Sequence, residues 1–149
     1  MSEVHIGWDS FAADTRKLAA GLPWNAWGAI VCITRGGLIP AGIIAHERSV
    51  RLIDTLCVAT YKDRKQGEPL ILKAPNDYAV RLGSNLLVID DLVDSGATVK
   101  RVKAILPQAY YAAVYAKPRG QPDLNMWARP MLQNEWLVFP WEKAEREDG

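Results

Sequence analysis

The chain has 149 residues, 18 Lys+Arg against 17 Asp+Glu, 49% apolar residues, and six Trp against two Phe. That length fits a single domain, 1–149, with a real core, and that apolar fraction excludes a disordered chain. A formal charge of +1 argues against a broad basic face, so no nucleic-acid partner is expected.

The N-terminus carries Glu3 and Asp9 and has no apolar h-region, so it does not read as a signal peptide. Nothing in the chain approaches 18 consecutive apolar residues, and no transmembrane helix is expected. A cytoplasmic location follows as the expectation. Trp8, Phe11, Leu18 and Leu22 then recur near helical spacing, with Asp9 or Ser10 able to cap the start and residues 21–23 ending the helix. Residues 28–34 form a continuous apolar run of strand length, the pattern of a strand buried on both faces. Arg35, Gly36 and Gly37 break it. Residues 38–48 read as a helix with Pro40 in its first turn, where proline is tolerated. Residues 52–61 are rich in β-branched side chains and read as a second strand.

Residues 62–85 change character. They hold Gly67, Pro69, Pro75 and Gly83 together with Lys62, Arg64, Lys65, Lys73 and Arg81. Apart from a short strand at 70–72, this stretch reads as a long excursion, and long loops in compact domains are usually functional or disordered. Residues 86–89 form a third buried strand that ends in Asp90 and Asp91. Residues 98–106 are a helix stopped by Pro107, and residues 109–116 a fourth strand. Short apolar pieces around Met126, Trp136 and Phe139 precede a charged tail. Alternating strands and helices imply an α/β fold with a mostly parallel sheet flanked by helices. Cys32 and Cys57 lie inside apolar strands and read as inert core thiols, and neither His5 nor His46 has a partner at zinc-ligand spacing. Trp8, Trp24 and Trp27 read as packing residues.

Ligands of open α/β sheets bind beyond the C-terminal strand ends. Arg35-Gly36-Gly37, Lys117 and residues 88–98 (Val-Ile-Asp-Asp-Leu-Val-Asp-Ser-Gly-Ala-Thr) all fall there. In the last, two carboxylates emerge where the strand ends. Adjacent carboxylates repel, so they suit a cation, ribose hydroxyls or basic side chains, and their oxygens suit magnesium carried by a phosphorylated substrate. Asp94, Ser95, Gly96, Ala97 and Thr98 form a small-residue turn into a helix, where backbone N–H groups, hydroxyls and the helix dipole favour a phosphate. A plain N-cap at Asp94 or Ser95 is the bland alternative. The chain has no Walker phosphate loop and no Gly-x-Gly-x-x-Gly.

Residues 88–98 resemble the phosphoribosyl-pyrophosphate (PRPP) signature of the type I phosphoribosyltransferases. With residues 33–40, Tyr115-Ala116-Lys117-Pro118 and residues 136–141, the likeness covers roughly residues 5–142 and points to the bacterial xanthine–guanine branch, whose bases are 6-oxopurines. The resemblance implies a central twisted sheet, a small hood from the terminal segments and a mobile loop at about 62–85. It implies that Asp90 and Asp91 hold the ribose hydroxyls, with Asp91 nearest Mg2+, and that Asp94 faces the purine and handles the proton of the attacking nitrogen. Ser95, Gly96, Ala97 and Thr98 would cradle the 5′-phosphate, and Arg35 and Gly36 would meet pyrophosphate beside a strained or cis peptide. Lys117 would donate to the 6-oxo group, Trp136 would contact the base plane, and the backbone carbonyls of Trp136 and Leu137 would accept from the 2-substituent. It further implies PRPP and guanine, xanthine or hypoxanthine as substrates, a homo-oligomer (dimer or tetramer), and the peripheral membrane association described for some relatives. Val138 stands where the enteric members carry an acid, which leaves the choice among the three bases open. Some proteins of this fold are regulators that sense PRPP or nucleotides without catalysis, and that reading is the alternative.

Overall fold

The computed structural model describes residues 2–59 and 69–142. In chain order these form β1 (Ser2–His5), α1 (Trp8–Gly21), β2 (Ala29–Thr34), α2 (Leu38–Glu47), β3 (Ile53–Ala59), β4 (Leu70–Lys73), α3 (Asp77–Arg81), β5 (Leu86–Val93), α4 (Ala97–Lys103), β6 (Tyr110–Ala116), β7 (Met126–Pro130) and β8 (Glu135–Val138). Six strands make one sheet in the order β4-β3-β2-β5-β6-β7, parallel throughout except for β4 on the edge. This is the expected α/β architecture.

The strand sequences explain the layering. Side chains of a strand alternate between faces. Ile30 and Cys32 of β2 and Leu87 and Ile89 of β5 enter the core shared with Phe11, Leu18 and Ile44 of α1 and α2. Val31 and Ile33, Leu86 and Val88 enter the opposite core, with Val99 and Val102 of α4. Both faces are covered, which is why these strands read as unbroken apolar runs. Arg48 ties α1 to α2. Its guanidinium donates to the carbonyls of Ala19, Leu22 and Pro23, each at 2.9 Å, which satisfies the open C-terminal end of α1.

β1 pairs in parallel with β8 to make a separate two-stranded sheet, joining the two terminal segments as the hood implied by the resemblance. Behind it, Phe139 stacks on Trp141 with centroids 4.6 Å apart, and Phe11 meets Trp141 edge-on at 5.1 Å. Anchoring this segment fixes Trp136 and Leu137 of β8 above the sheet.

Five expectations need correction. The N-cap of α1 is Gly7, with no side-chain cap, so neither Asp9 nor Ser10 serves. β5 runs on through Asp90 and Asp91 to Val93, because pairing with β6 continues to Val93↔Ala116. The expected excursion at 62–85 is largely ordered from residue 70: β4, α3 and a 3-10 turn at Gly83–Asn85 fill it. Asn76 caps α3, its side-chain oxygen accepting from the Ala79 N–H at 3.0 Å. Residues 62–68 of that stretch lie outside the described residues, as does the tail from 143. Trp24 is 97% exposed under the Arg48 guanidinium and packs no core, whereas Trp8, although partly exposed, packs on Trp141 at 5.9 Å and Trp27 packs on Tyr110. Cys32 is buried, but Cys57 is only half-buried. Among the described residues no helix is long and apolar enough to cross a membrane.

Candidate active site

The chain leaves β2 toward β3 on one side and leaves β5 toward β6 on the other. The crevice between the C-terminal ends of β2 and β5 is therefore the switch point of the sheet, where ligands of such folds sit. The loop after β2 packs directly on β5. A Cβ on Gly37 would lie 2.6 Å from the Ile33 carbonyl oxygen and 2.7 Å from that of Ile89, and one on Gly36 would run into the Asp91 carboxylate. Only glycine admits this approach. The Thr34–Arg35 peptide is cis, as the resemblance implies, and Arg35 is exposed just ahead of Gly36.

Asp90 and Asp91 are half-buried near the end of β5. The Asp91 N–H donates to Asp90 Oδ1 at 2.8 Å, and the Leu92 N–H donates to Asp91 Oδ1 at 2.7 Å. Burial pushes the Asp90 carboxyl well above the ordinary carboxylate range, and the Asp91 charge beside it pushes the same way. Burial also raises Asp91. The pair is thus short of compensating positive charge, a setting that a cation relieves.

Next comes the turn. Gly96 adopts a left-handed φ of +86° with the Asp123 carboxylate packed beneath it, and Ser95 Oγ accepts from the Ala97 N–H at 3.3 Å. Asp123 in turn pairs with Lys100 at 3.3 Å. Asp90, Asp94, Ser95, Gly96, Ala97 and Thr98 line a cavity of ≈ 150 Å³. A second cavity of ≈ 220 Å³ shares Asp94 with it and is lined by Asp91, Lys117, Trp136, Leu137 and Glu142. Lys117 follows β6, is 4% exposed, and donates from Nζ to Asp94 Oδ2 at 3.3 Å. Trp136 is half exposed over this cavity. A larger hollow of ≈ 420 Å³ near His46, Arg51 and Ile53 lies at the N-terminal end of β3 and has no carboxylate in its lining.

The structure thus gathers Asp90, Asp91, Asp94, Ser95, Gly96, Ala97, Thr98, Lys117, Trp136 and Leu137 around two adjoining cavities, with Gly36 against Asp91. Arg35 lines neither cavity. Lys73, one of the basic residues expected in the mobile loop, is engaged elsewhere: its Nζ donates to Asp54 Oδ1 at 3.3 Å and to the Thr55 carbonyl at 2.8 Å. Burial works against the Asp54 charge, yet the N–H groups of Asn76 and Thr55 and the Lys73 ammonium hold its carboxyl below the usual range. Two residues at the site escaped the sequence reading. Glu142 lines the larger of the two cavities and accepts from the Phe139 N–H at 2.9 Å. Gln133 donates from Nε2 to Asp94 Oδ1 at 2.6 Å.

An open, mostly parallel sheet with its cleft at the switch point defines a class: an α/β protein that takes a small ligand beyond its strand ends. Comparison with known proteins narrows the class. The chain belongs to the phosphoribosyl transferase domain family, whose profile matches residues 7–146. It is 42% identical over 145 residues to a xanthine-guanine phosphoribosyltransferase of Cereibacter sphaeroides, covering 94% of this chain and 87% of that protein. Its fold is similar to that of a purine phosphoribosyltransferase from Pyrococcus horikoshii, with a TM-score of 0.78 at 23% identity over 95% of this chain and 94% of the other. A Helicobacter pylori xanthine-guanine-hypoxanthine phosphoribosyltransferase superposes with a TM-score of 0.77 at 21% identity, covering 97% of each chain.

Proposed function

We propose that this protein is a purine-salvage phosphoribosyltransferase that transfers the 5-phosphoribosyl group of PRPP to guanine, xanthine or hypoxanthine, giving the nucleoside monophosphate and pyrophosphate. The observation that carries this reading is that the two cavities meet at Asp94. One has the size and small-residue turn suited to a phosphate, and the other joins a buried lysine to an exposed tryptophan face. The family membership and the Cereibacter sphaeroides relative support the same assignment.

In this reading Ser95, Gly96, Ala97 and Thr98 take the 5′-phosphate, Asp90 and Asp91 take the ribose hydroxyls, and Arg35 and Gly36 border the pyrophosphate. The base lies on Trp136, with its 6-oxo group toward Lys117 and its 2-substituent toward the carbonyls of Trp136 and Leu137. As the ring nitrogen of the base forms its bond to C1′, it gives up its proton to Asp94. The bond from C1′ to the pyrophosphate oxygen breaks, and that oxygen keeps the electron pair. The ribosyl centre carries oxocarbenium character in between, which the nearby carboxylates favour electrostatically.

Magnesium fits the residues present. Asp90 and Asp91 offer hard oxygen ligands in a pair that burial leaves short of positive charge. Among the described residues no group of three or more His, Cys, Asp or Glu could hold a metal by itself, which suits an ion held partly by substrate phosphates. Bound there, Mg2+ neutralises charge on the leaving pyrophosphate. The reading carries with it the homo-oligomer implied by the resemblance and the cytoplasmic location expected from the sequence.

The test is a base panel: guanine, xanthine, hypoxanthine, adenine and uracil, each with Mg–PRPP. Nucleotide from the 6-oxopurines and none from adenine or uracil is expected. Turnover of uracil in preference to every purine, or of no base at all, would overturn the reading.

A further inference from the structure

The catalytic roles above leave two polar side chains of the site unused, Glu142 and Gln133, and only Gln133 bonds to Asp94. Gln133 sits between β7 and β8 and is half-buried. Its Nε2 donates to Asp94 Oδ1 at 2.6 Å, and its Oε1 accepts from the Arg119 backbone N–H at 3.0 Å. The second contact fixes the first. A backbone N–H can only donate, so the amide oxygen must face Arg119 and the NH2 group must face Asp94. Each oxygen of the Asp94 carboxylate is then held by a different donor, Oδ1 by Gln133 and Oδ2 by Lys117 at 3.3 Å.

The anchor of Gln133 is itself rigid. The Lys117 N–H donates to the Val93 carbonyl at 3.0 Å, and the Gly120 N–H donates to the Lys117 carbonyl at 2.9 Å. Gly120 approaches so closely that a Cβ there would lie 2.9 Å from the backbone oxygen of Asp94. The turn at 117–120 and the backbone of Asp94 therefore form one frame, and Gln133 is a side-chain strut across it. The Asp94 side chain is 54% exposed even with the strut in place, so loss of the strut leaves its carboxylate room to change rotamer. Lys117 is a poor substitute, because a 6-oxo group in the adjoining cavity competes for its ammonium.

We propose that Gln133 is a positioning residue: it keeps the Asp94 carboxylate aimed at the base while Lys117 is recruited to the 6-oxo group. This rests on the transferase reading above, and it adds that the pocket depends on a donor from the β7–β8 connection as well as on the signature turn.

Two variants and a cycle test it. Gln133→Met fills similar space and removes the donor; Gln133→Glu keeps an acceptor for Arg119 and sets a like charge against Asp94. Both are expected to lower kcat for guanine, by about tenfold for the Met variant, with KM for PRPP unchanged. On an Asp94→Asn background, Gln133→Met is expected to cause no further loss, because the strut acts only through the carboxylate. A wild-type kcat in the Glu variant, or a loss in the Met variant that persists in full on the Asp94→Asn background, overturns the positioning role while leaving the transferase reading intact. A wild-type protein that transfers to no purine overturns both, and the wild-type control alone reveals that case.

Discussion

Replacing Lys117 by Met isolates the contact on which base selection depends. The side chain is 4% exposed, and its ammonium lies 3.3 Å from a carboxylate that is itself half exposed. Met follows the buried stem closely, and water can resolvate Asp94. The carboxylate left behind is 54% exposed and stays hydrated, so stability is expected to change by about 1 kcal/mol or less. Catalysis is expected to respond differently. A hydrogen bond from a charged donor to the 6-oxo group is worth about 1.5–3 kcal/mol. At about 1.4 kcal/mol per factor of ten, kcat/KM for guanine and hypoxanthine should fall about 10- to 150-fold. Calorimetry of product binding separates this from general damage: IMP should weaken by a similar factor, and AMP, which carries a 6-amino group, should not. An equal fall for IMP and AMP, or no fall for either, would refute the assigned contact.

The acid pair and the glycine of the 117–120 turn give two further outcomes. Because Asp90 and Asp91 sit above the ordinary carboxylate range, the folded protein holds protons that the unfolded chain releases, so stability falls as pH rises from about 4 upward through the raised values. Asp90→Asn removes part of that penalty. Its Tm without magnesium should exceed wild type at pH 7 and converge with it below about pH 4, and a lower Tm at pH 7 would contradict the assigned burial. Gly120→Ala would place a methyl 2.5 Å from Val93 Cγ1 and 2.9 Å from two fixed carbonyl oxygens. Calorimetric melting should show a loss of about 1–3 kcal/mol, or about 3–10 °C in Tm; an unchanged Tm would mean the turn yields freely.

What could be read from the sequence follows from what each feature depends on. β2, β5 and β6 are buried on both faces, so their apolar runs are local signals, and residues 88–98 carry strand, acids and turn in one stretch. The four-residue strands β1 and β8 have no such signal: Ser2–His5 is mostly polar, and its pairing with Glu135–Val138 joins opposite ends of the chain. α3 was hidden because proline and glycine dominate its surroundings, while its order depends on Asp54, which receives the Asn76 N–H at 2.7 Å from across β3. The placement of Trp24 turned on Arg48, 24 positions away, and that of Gln133 on Asp94, 39 positions away. Neither partner is visible from spacing or periodicity.

Asp94 joins the phosphate cavity to the base pocket, and in the proposed reaction it takes the proton of the attacking ring nitrogen. Pyrophosphate release from Mg–PRPP and guanine, measured for wild type and Asp94→Asn at equal concentration, tests that role. The expected result is one pyrophosphate per GMP in wild type and a loss in the variant of about 100-fold or more in kcat, with GMP binding retained. An undiminished kcat in Asp94→Asn would contradict the claim.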